Sequence, residues 1–342
     1  MLQIENGMQI ATDAYYIQHM ENGLDELHFE VSISDPAYRV LQEESRILET
    51  TEHQIYTVKQ INAGTHDANI GCRLDLSAWQ TRLYIEYKSL NRTAAAVLSA
   101  VAPADWTVKD ATIQQKKREI EMDAPTPLEI AEQMQETFEC AIRFDTHSKT
   151  ATLLYPEEKP LSNAYAVDTV NLRSVPMFKG KSTDLYTRLY PIGKDGLRIA
   201  SVNDGKDYVE NLTYTDQIIC AVWKDERYTD VESLRDDAQK RVDAASQPER
   251  SWTLDIVDLK RIDADRWPDM DLSLFSVLRL VDSYKGFSAN VQVREDKVYP
   301  YYPEKNEITV STSAKSVQRT LRGLYRQIYN PNSEFYQRLR AR

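Results

Sequence analysis

Apolar and polar side chains alternate over short runs along much of this chain. That period of two restricts it to strand-built folds more than any other feature does. Leu27-His28-Phe29-Glu30-Val31-Ser32-Ile33 is the clearest run. Asp35-Pro36 ends it, because proline brings no ladder donor and restricts the residue before it. Residues 54–61, followed by a break at Ala63-Gly64, and residues 83–87 continue the pattern. Residues 1–88 therefore read as short antiparallel strands, the raw material of a barrel or sandwich.

The period changes past residue 88. Residues 91–102 are rich in Ala and Leu and predict a short helix, capped by Ser89 or Asn91 and stopped by Pro103. A second helix has an explicit start at Thr126-Pro127-Leu128-Glu129. Thr126 caps it, Pro127 takes the first helical position where no donor is missed, and Glu129 reaches back to complete a capping box. Leu128, Ala131, Gln135 and Phe138 fall on one face, with Ile130 and Met134 beside it. A strand over 141–145 and a hairpin return over 150–155 follow, so that 89–155 reads as a small inserted α+β domain.

Pro156 and Pro160 bracket a polar connection. Beyond it the sequence predicts a strand over 186–191, a turn over 193–196, a strand over 197–202 and a hairpin turn at Asn203-Asp204-Gly205. A helix from Thr229 or Asp230 to Ala245 puts Val231, Leu234, Ala238, Val242 and Ala245 inward, and Gln247-Pro248 ends it. From Trp252 the text is β again, with Leu254 and Ile256, then Phe275, Val277, Arg279 and Val281. Ala289, Val291 and Val293, and last Ile308 and Val310, continue it. Residues 313–328 repeat Val317, Leu321, Leu324 and Ile328 as one narrow helical stripe that docks on the chain's own core.

Chemistry is harder to find. A net charge of −11 gives no general attraction to nucleic acid, although basic residues gather at the end, from Arg319 to Arg342, as a solvated helix face and tail. Cys72, Cys140 and Cys220 are far apart and odd in number, which argues against a disulfide framework and for folding in a reducing compartment. Cys72 follows Gly71 in a turn-like context, whereas Cys140 and Cys220 have apolar neighbours that suit small core residues. The N-terminus lacks the basic-then-apolar pattern of a signal peptide, and no window approaches the roughly 18 apolar residues that span a bilayer. Membrane insertion is not expected.

The five histidines are scattered. His28 alternates within a strand, while His19, His53, His66 and His147 sit in polar, loop-like surroundings. No HExxH, CxxC, EF-hand loop or G-x-S-x-G occurs, and acidic pairs such as Asp225-Glu226 and Asp236-Asp237 read as solvated surface. Ten glycines, none clustered, exclude a phosphate loop and argue against a doubly wound nucleotide fold. The sequence thus nominates no catalytic, metal or cofactor-binding residue, and no cofactor. Tyr299, Tyr301 and Tyr302, interleaved with Pro300 and Pro303, read either as the cover of a strand edge or as a subunit contact.

Asp184-Leu185-Tyr186-Thr187-Arg188-Leu189-Tyr190-Pro191-Ile192-Gly193-Lys194-Asp195-Gly196-Leu197 resembles a signature of phage minor structural proteins, the prophage tail or tail-endopeptidase family. Further pieces agree in order. Asn171-Leu172 precedes the signature, and Tyr208-Val209-Glu210-Asn211 follows it in the manner of the family's "YIEN". Trp223-Lys224-Asp225-Glu226-Arg227-Tyr228, the helix with Leu234, and the stop at Ser246-Gln247-Pro248 come next. Upstream, Ala104-Asp105-Trp106-Thr107-Val108 is similar to the family's "GTGW" segment, and the helix begun by Thr126 sits where that family has one.

The resemblance covers residues 25 to 310 or thereabouts and implies a baseplate hub. Such hubs are homotrimers in which two β-barrel-like domains per subunit form a pseudo-sixfold ring. The ring meets the distal tail or tail-tube protein on one side and a spike or fibre protein on the other. The implied fold is β-rich α+β: 1–88 as an N-terminal barrel-like domain, 89–155 inserted, 156–250 a hairpin region plus helix partly belonging to a second barrel, and 251–342 the remaining barrel strands and C-terminal helix. The second barrel is split, with 156–200 and 251–311 combining around an insertion near 203–248. The implied location is the virion tail, after synthesis in the bacterial cytoplasm. Many members carry a C-terminal peptidase or lysozyme extension, but this sequence ends at Arg342 and no residues match it, so enzymatic activity is not carried over. Two other readings stand beside the hub: a cell-wall (peptidoglycan) hydrolase and a host-surface receptor-binding module.

Overall fold

The structure is a computed structural model, and it describes residues 1–110, 117–156, 159–226, 228–283 and 286–312. It divides into two compact units, one of residues 1–176 with 253–310 and one of residues 177–252 with a short C-terminal piece. The helix expected over 313–328 and the terminal arginines lie outside the described residues.

The first unit opens with β1 (Leu2–Ile4), β2 (Gln9–Ile10), β3 (Tyr15–Met20), β4 (Glu26–Ser32), β5 (Arg46–Glu49), β6 (Gln54–Ala63) and β7 (Asp67–Leu74). β8 (Glu86–Thr93), α1 (Ala94–Val101), β9 (Thr107–Asp110), β10 (Lys117–Asp123), α2 (Pro127–Phe138), β11 (Ala141–Asp145), β12 (Thr150–Leu154) and β13 (Leu161–Val167) follow. The second unit holds β14 (Met177–Lys181), β15 (Arg188–Ile192), β16 (Val209–Glu210), β17 (Cys220–Lys224) and α3 (Val231–Ala245). β18 (Glu249–Asp255) crosses the boundary, and α4 (Leu259–Ile262), β19 (Val277–Asp282), β20 (Phe287–Val298) and β21 (Glu307–Ser311) return to the first unit.

Alternation does in the first unit what the sequence promises. Tyr15, Ile17 and His19 of β3, Leu27, Phe29 and Val31 of β4, and Ala68, Ile70, Cys72 and Leu74 of β7 point to one buried side. The strands follow the order β18-β21-β20-β3-β4-β7-β6-β5-β1-β2, an open sequence, and no closed barrel forms among the described residues. β20 is the pivot. Its first half pairs with β19 and its second half pairs antiparallel with β3, setting Val298 opposite Ile17 and Asp296 opposite His19.

Residues 94–153 share one hydrophobic core with the first eighty. Trp79 packs edge-on against Phe144 at 5.2 Å and Trp106 at 5.4 Å. The α2 capping box is present in both directions, with Glu129 N–H donating to Thr126 Oγ1 at 3.3 Å and Thr126 N–H donating to Glu129 Oε2 at 2.7 Å. Leu128, Ile130, Ala131, Met134, Gln135 and Phe138 are all buried, as the helical spacing requires.

Several local expectations are corrected. The helix expected over 91–102 starts three residues later with Thr93 as its cap, because β8 runs on to Thr93, pairing Ser89 with Ile120 and Arg92 with Arg118 of β10. β8 itself begins at Glu86, not Leu83, and Leu83 and Ile85 are exposed. In β19 the buried set is Leu278, Leu280 and Asp282, one residue out of step with Val277 and Val281. Phe275 causes the slip: it is buried with φ of 68°, a left-handed turn that breaks the period before the strand begins.

In the second unit α3 covers the sheet β16-β15-β17 with Leu234, Ala238 and Val242 against Leu189, Ile199 and Val209. Asp230 caps α3 through Ser233 N–H at 2.8 Å. The turn at 203–205 forms, with Asp204 and Gly205 at positive φ, and Asn203 Nδ2 donates to the carbonyl of Tyr208 at 2.8 Å. It does not join two strands, since 197–202 holds a 3-10 turn at Ala200–Val202 in place of the expected strand.

Candidate functional site

The most concentrated chemistry in the first unit lies where β3 meets β20. His19 takes an inward position in an otherwise apolar strand face and is 5% exposed. Asp296, its direct cross-strand partner, hydrogen-bonds Nδ1. Glu52, from the turn between β5 and β6, bonds Nε2 at 2.9 Å. An imidazole can donate from both nitrogens only when protonated, so this geometry holds His19 as an imidazolium. Burial alone lowers its pKa, but the charges of Asp296 and Glu52 and the hydrogen bonds they accept outweigh burial and raise it well above the ordinary value. For Glu52, burial pushes the pKa up, and His19, Arg143 and Arg261 bring it below the usual range.

Neighbouring groups extend this seam. Arg294 of β20 pairs with Glu21 at 2.8 Å, both side chains about nine-tenths buried. Asp25, buried, accepts from Met20 N–H at 2.9 Å, yet burial raises its pKa despite that bond and the charges of His19 and Arg143. Tyr56 is wholly buried, and its hydroxyl has no hydrogen-bond partner among the described residues.

A cleft of about 420 Å³ opens over His19. Its floor is apolar, from Ile256, Met270, Leu272, Val298 and Ile308, and Arg143, Lys260 and Arg261 stand on its walls. A larger cleft of about 780 Å³ lies elsewhere in this unit, where Lys59 pairs with Glu44 at 2.7 Å and Arg73 stands 3.8 Å from Glu26.

The arrangement bears on what His19 can do. A general base needs a free ring nitrogen facing its substrate. Both nitrogens of His19 are bound by carboxylates of the protein, so it works as a clasp between strands. The sequence reading placed His19 in a loop, and that is corrected here. The available signal was its register, since Tyr15, Ile17 and His19 occupy alternate positions. Its acidic partners are 33 and 277 residues away and share no motif with it.

The remaining candidates resolve simply. Among the described residues no group of three or more His, Cys, Asp or Glu is placed to hold a metal ion. Cys72 and Cys140 are buried; Cys72 lies in a strand, and Cys220, expected in a core, is exposed. The tyrosine cluster turns back on its own unit. Tyr299 packs against Tyr16, Tyr301 meets Tyr15 edge-on at 5.7 Å, and Tyr302 Oη donates to Asp13 at 2.6 Å. No helix among the described residues is long and apolar enough to cross a membrane.

The segment of the sequence signature makes its own structure in the second unit. Gly193 lies so close to the signature's far end that a Cβ there would stand 2.8 Å from the Tyr228 carbonyl, and Lys194 N–H donates to that carbonyl at 2.9 Å. Asp195 and Gly196 both turn through positive φ. Across the sheet, Arg188 donates twice to Glu210, at 3.0 and 2.7 Å, with its guanidinium 4.0 Å over the Tyr208 ring.

Comparison with known proteins agrees with that signature. No curated protein sequence matches the chain significantly. Residues 170–321 match the model of the family described as prophage endopeptidase tail. Among solved structures, prophage tail protein gp18 from Listeria monocytogenes EGD-e superposes with a TM-score of 0.63 at 17% identity, covering 92% of each chain. The 43 kDa tail protein of prophage MuSo2 from Shewanella oneidensis gives 0.64 at 11% identity, over 91% of this chain and 96% of that one. The E. coli c3393 protein, described as a type VI secretion component with structural similarity to T4 tail proteins gp27 and gp5, gives 0.50 at 9% identity, over 93% and 78%. The chain therefore matches the prophage endopeptidase tail family over residues 170–321 and shares the fold of prophage tail proteins over nine-tenths of its length.

Proposed function

We propose that this chain is a structural component of a phage-type tail tip: a baseplate hub that assembles as a homotrimer and joins the distal tail or tail-tube protein to a spike or fibre protein. The observation that carries the reading is the fold likeness to prophage tail proteins along almost the whole chain, with the family match falling on the second unit and the strands after it. The described similarity of the E. coli relative to T4 gp27 and gp5 supports the hub assignment in particular. The clasped state of His19 supports a role without catalysis, because this buried imidazole offers no free nitrogen to a substrate.

In this reading the protein resides in the virion tail after synthesis in the bacterial cytoplasm. Segments 1–88 and 251–342 supply strands to two barrel-like modules, with 89–155 inserted and 156–250 contributing partly to the second. A permanent subunit interface of this kind buries roughly 2,000 Å² or more. Electron microscopy of particles from a producing cell tests the role. Deleting the gene is expected to leave no complete tails, with wild-type tails restored by the plasmid-borne gene, and normal tails in its absence would overturn the reading. The competing hydrolase reading, suggested by the family's description, predicts peptidoglycan cleavage by the purified chain.

A further inference from the structure

We propose that the cleft over His19 receives an acidic segment of a protein partner, flanked by aliphatic side chains. The inference rests on the geometry of the first unit and does not require the tail role. Its basis is an asymmetry in how the cleft's charges are used.

The acids are committed inward. Glu52 and Asp296 are bound to His19. Asp258 caps α4 through Arg261 N–H at 3.0 Å and accepts from Asn306 Nδ2 at 3.4 Å, and Asp271 accepts from Ser273 N–H at 3.1 Å. The bases keep donors to spare. Arg143 is exposed, and its one ion pair among the described residues is with Glu52, Nη2 at 4.0 Å, a carboxylate already engaged by His19. Lys260 is exposed and makes no ion pair among the described residues. Arg261 Nε stands 3.9 Å from Asp258. Lys297 pairs with Glu307 at 3.4 Å. Counting the imidazolium, the lining sets five cations (His19, Arg143, Lys260, Arg261 and Lys297) against four carboxylates (Glu52, Asp258, Asp271 and Asp296), and the unused donors of Arg143 and Lys260 face outward, in a chain whose net charge is −11.

The floor decides the kind of anion. A small free anion would satisfy the guanidinium and ammonium groups and leave the apolar floor wet. A carboxylate side chain next to Leu, Ile or Val in an extended peptide pairs with the rim and covers the floor together, and about 420 Å³ holds a few side chains.

Fluorescence anisotropy with the full chain tests this, using a labelled hexapeptide of alternating Glu and Leu, its Gln-for-Glu counterpart, and inorganic phosphate as competitor. The Glu peptide is expected to bind about tenfold or more tightly than the Gln peptide, the equivalent of one charge-assisted contact, and to weaken as salt rises. Arg143→Glu with Lys260→Glu is expected to lower affinity by about tenfold or more, while Arg143→Lys with Lys260→Arg keeps it within roughly threefold. Lys240→Glu on α3, in the other unit, leaves it unchanged. Equal binding of the two peptides, unchanged binding by the charge-reversed variant, or no binding at millimolar peptide would overturn the proposal. Full displacement by equimolar phosphate would overturn the peptide assignment.

Discussion

His19 ties β3 to β20 through Asp296 and to the β5–β6 turn through Glu52 at a buried position of the first unit. Removing it leaves Asp296 and Glu52 facing each other across a buried seam, and breaking a buried ion cluster in this way costs roughly 3–5 kcal/mol. His19→Gln is therefore expected to lower stability by about that much in chemical denaturation. Its pH dependence has a definite sign. A histidine whose pKa is raised by folding stabilises fully below its unfolded value near 6.5, and the contribution is lost as pH rises through the folded value. Glu52, whose pKa is lowered, stabilises above the ordinary carboxylate range and loses its contribution as pH falls. Wild-type stability is thus expected to decline on the alkaline side of neutrality, with a slope that His19→Gln removes; parallel slopes for the two proteins would contradict the clasp. Tyr56 gives the opposite test. Its buried hydroxyl has no partner among the described residues, so Tyr56→Phe is expected to raise stability by about 1 kcal/mol, read as an upward shift in the denaturation midpoint. Neither residue was legible as a site in the sequence. Register alone puts His19 inside, but nothing local predicts Asp296, because the pairing of β3 with β20 is set by the whole sheet.

At the scale of elements the sequence reads best where the signal is local. The capping box of α2 joins residues three apart, and it forms as expected. Thr126→Ala is expected to cost about 1 kcal/mol, measured by equilibrium unfolding, and Thr126→Ser much less. The start of α3, expected at Thr229 or Asp230 and capped by Asp230, and its inner face were legible for the same reason. Misreadings fall where a distant partner competes with local propensity. β8 overruns the expected start of α1 because β10 pairs with it, and the buried Phe275 shifts the phase of β19. Gly193 shows how a short motif encodes a long contact, as only a residue without Cβ lets this turn approach the Tyr228 carbonyl. Gly193→Ala is expected to destabilise the second unit by roughly 1–3 kcal/mol. Hydrogen exchange that loosens β15 and α3 while sparing β4 and β7 would show it.

For the whole molecule, the signature over 184–228 pointed to a family whose model matches 170–321, and to a fold shared with prophage tail proteins. What made it readable is that its residues are structural: Gly193 and Asp195-Gly196 for the turn, Arg188 and Glu210 for the cross-strand pair, Leu189 and Val209 for the core. The β-rich α+β class was equally plain from alternation. The order of the strands was not, because it depends on pairings such as that of Ile17 with Val298, which no local pattern announces. The hub proposal adds one requirement to this fold, a stable threefold assembly. Light scattering on the purified chain at micromolar concentration tests it most directly. The account predicts a particle of three times the 39.5 kDa protomer mass. A monomer that persists as concentration is raised would contradict it.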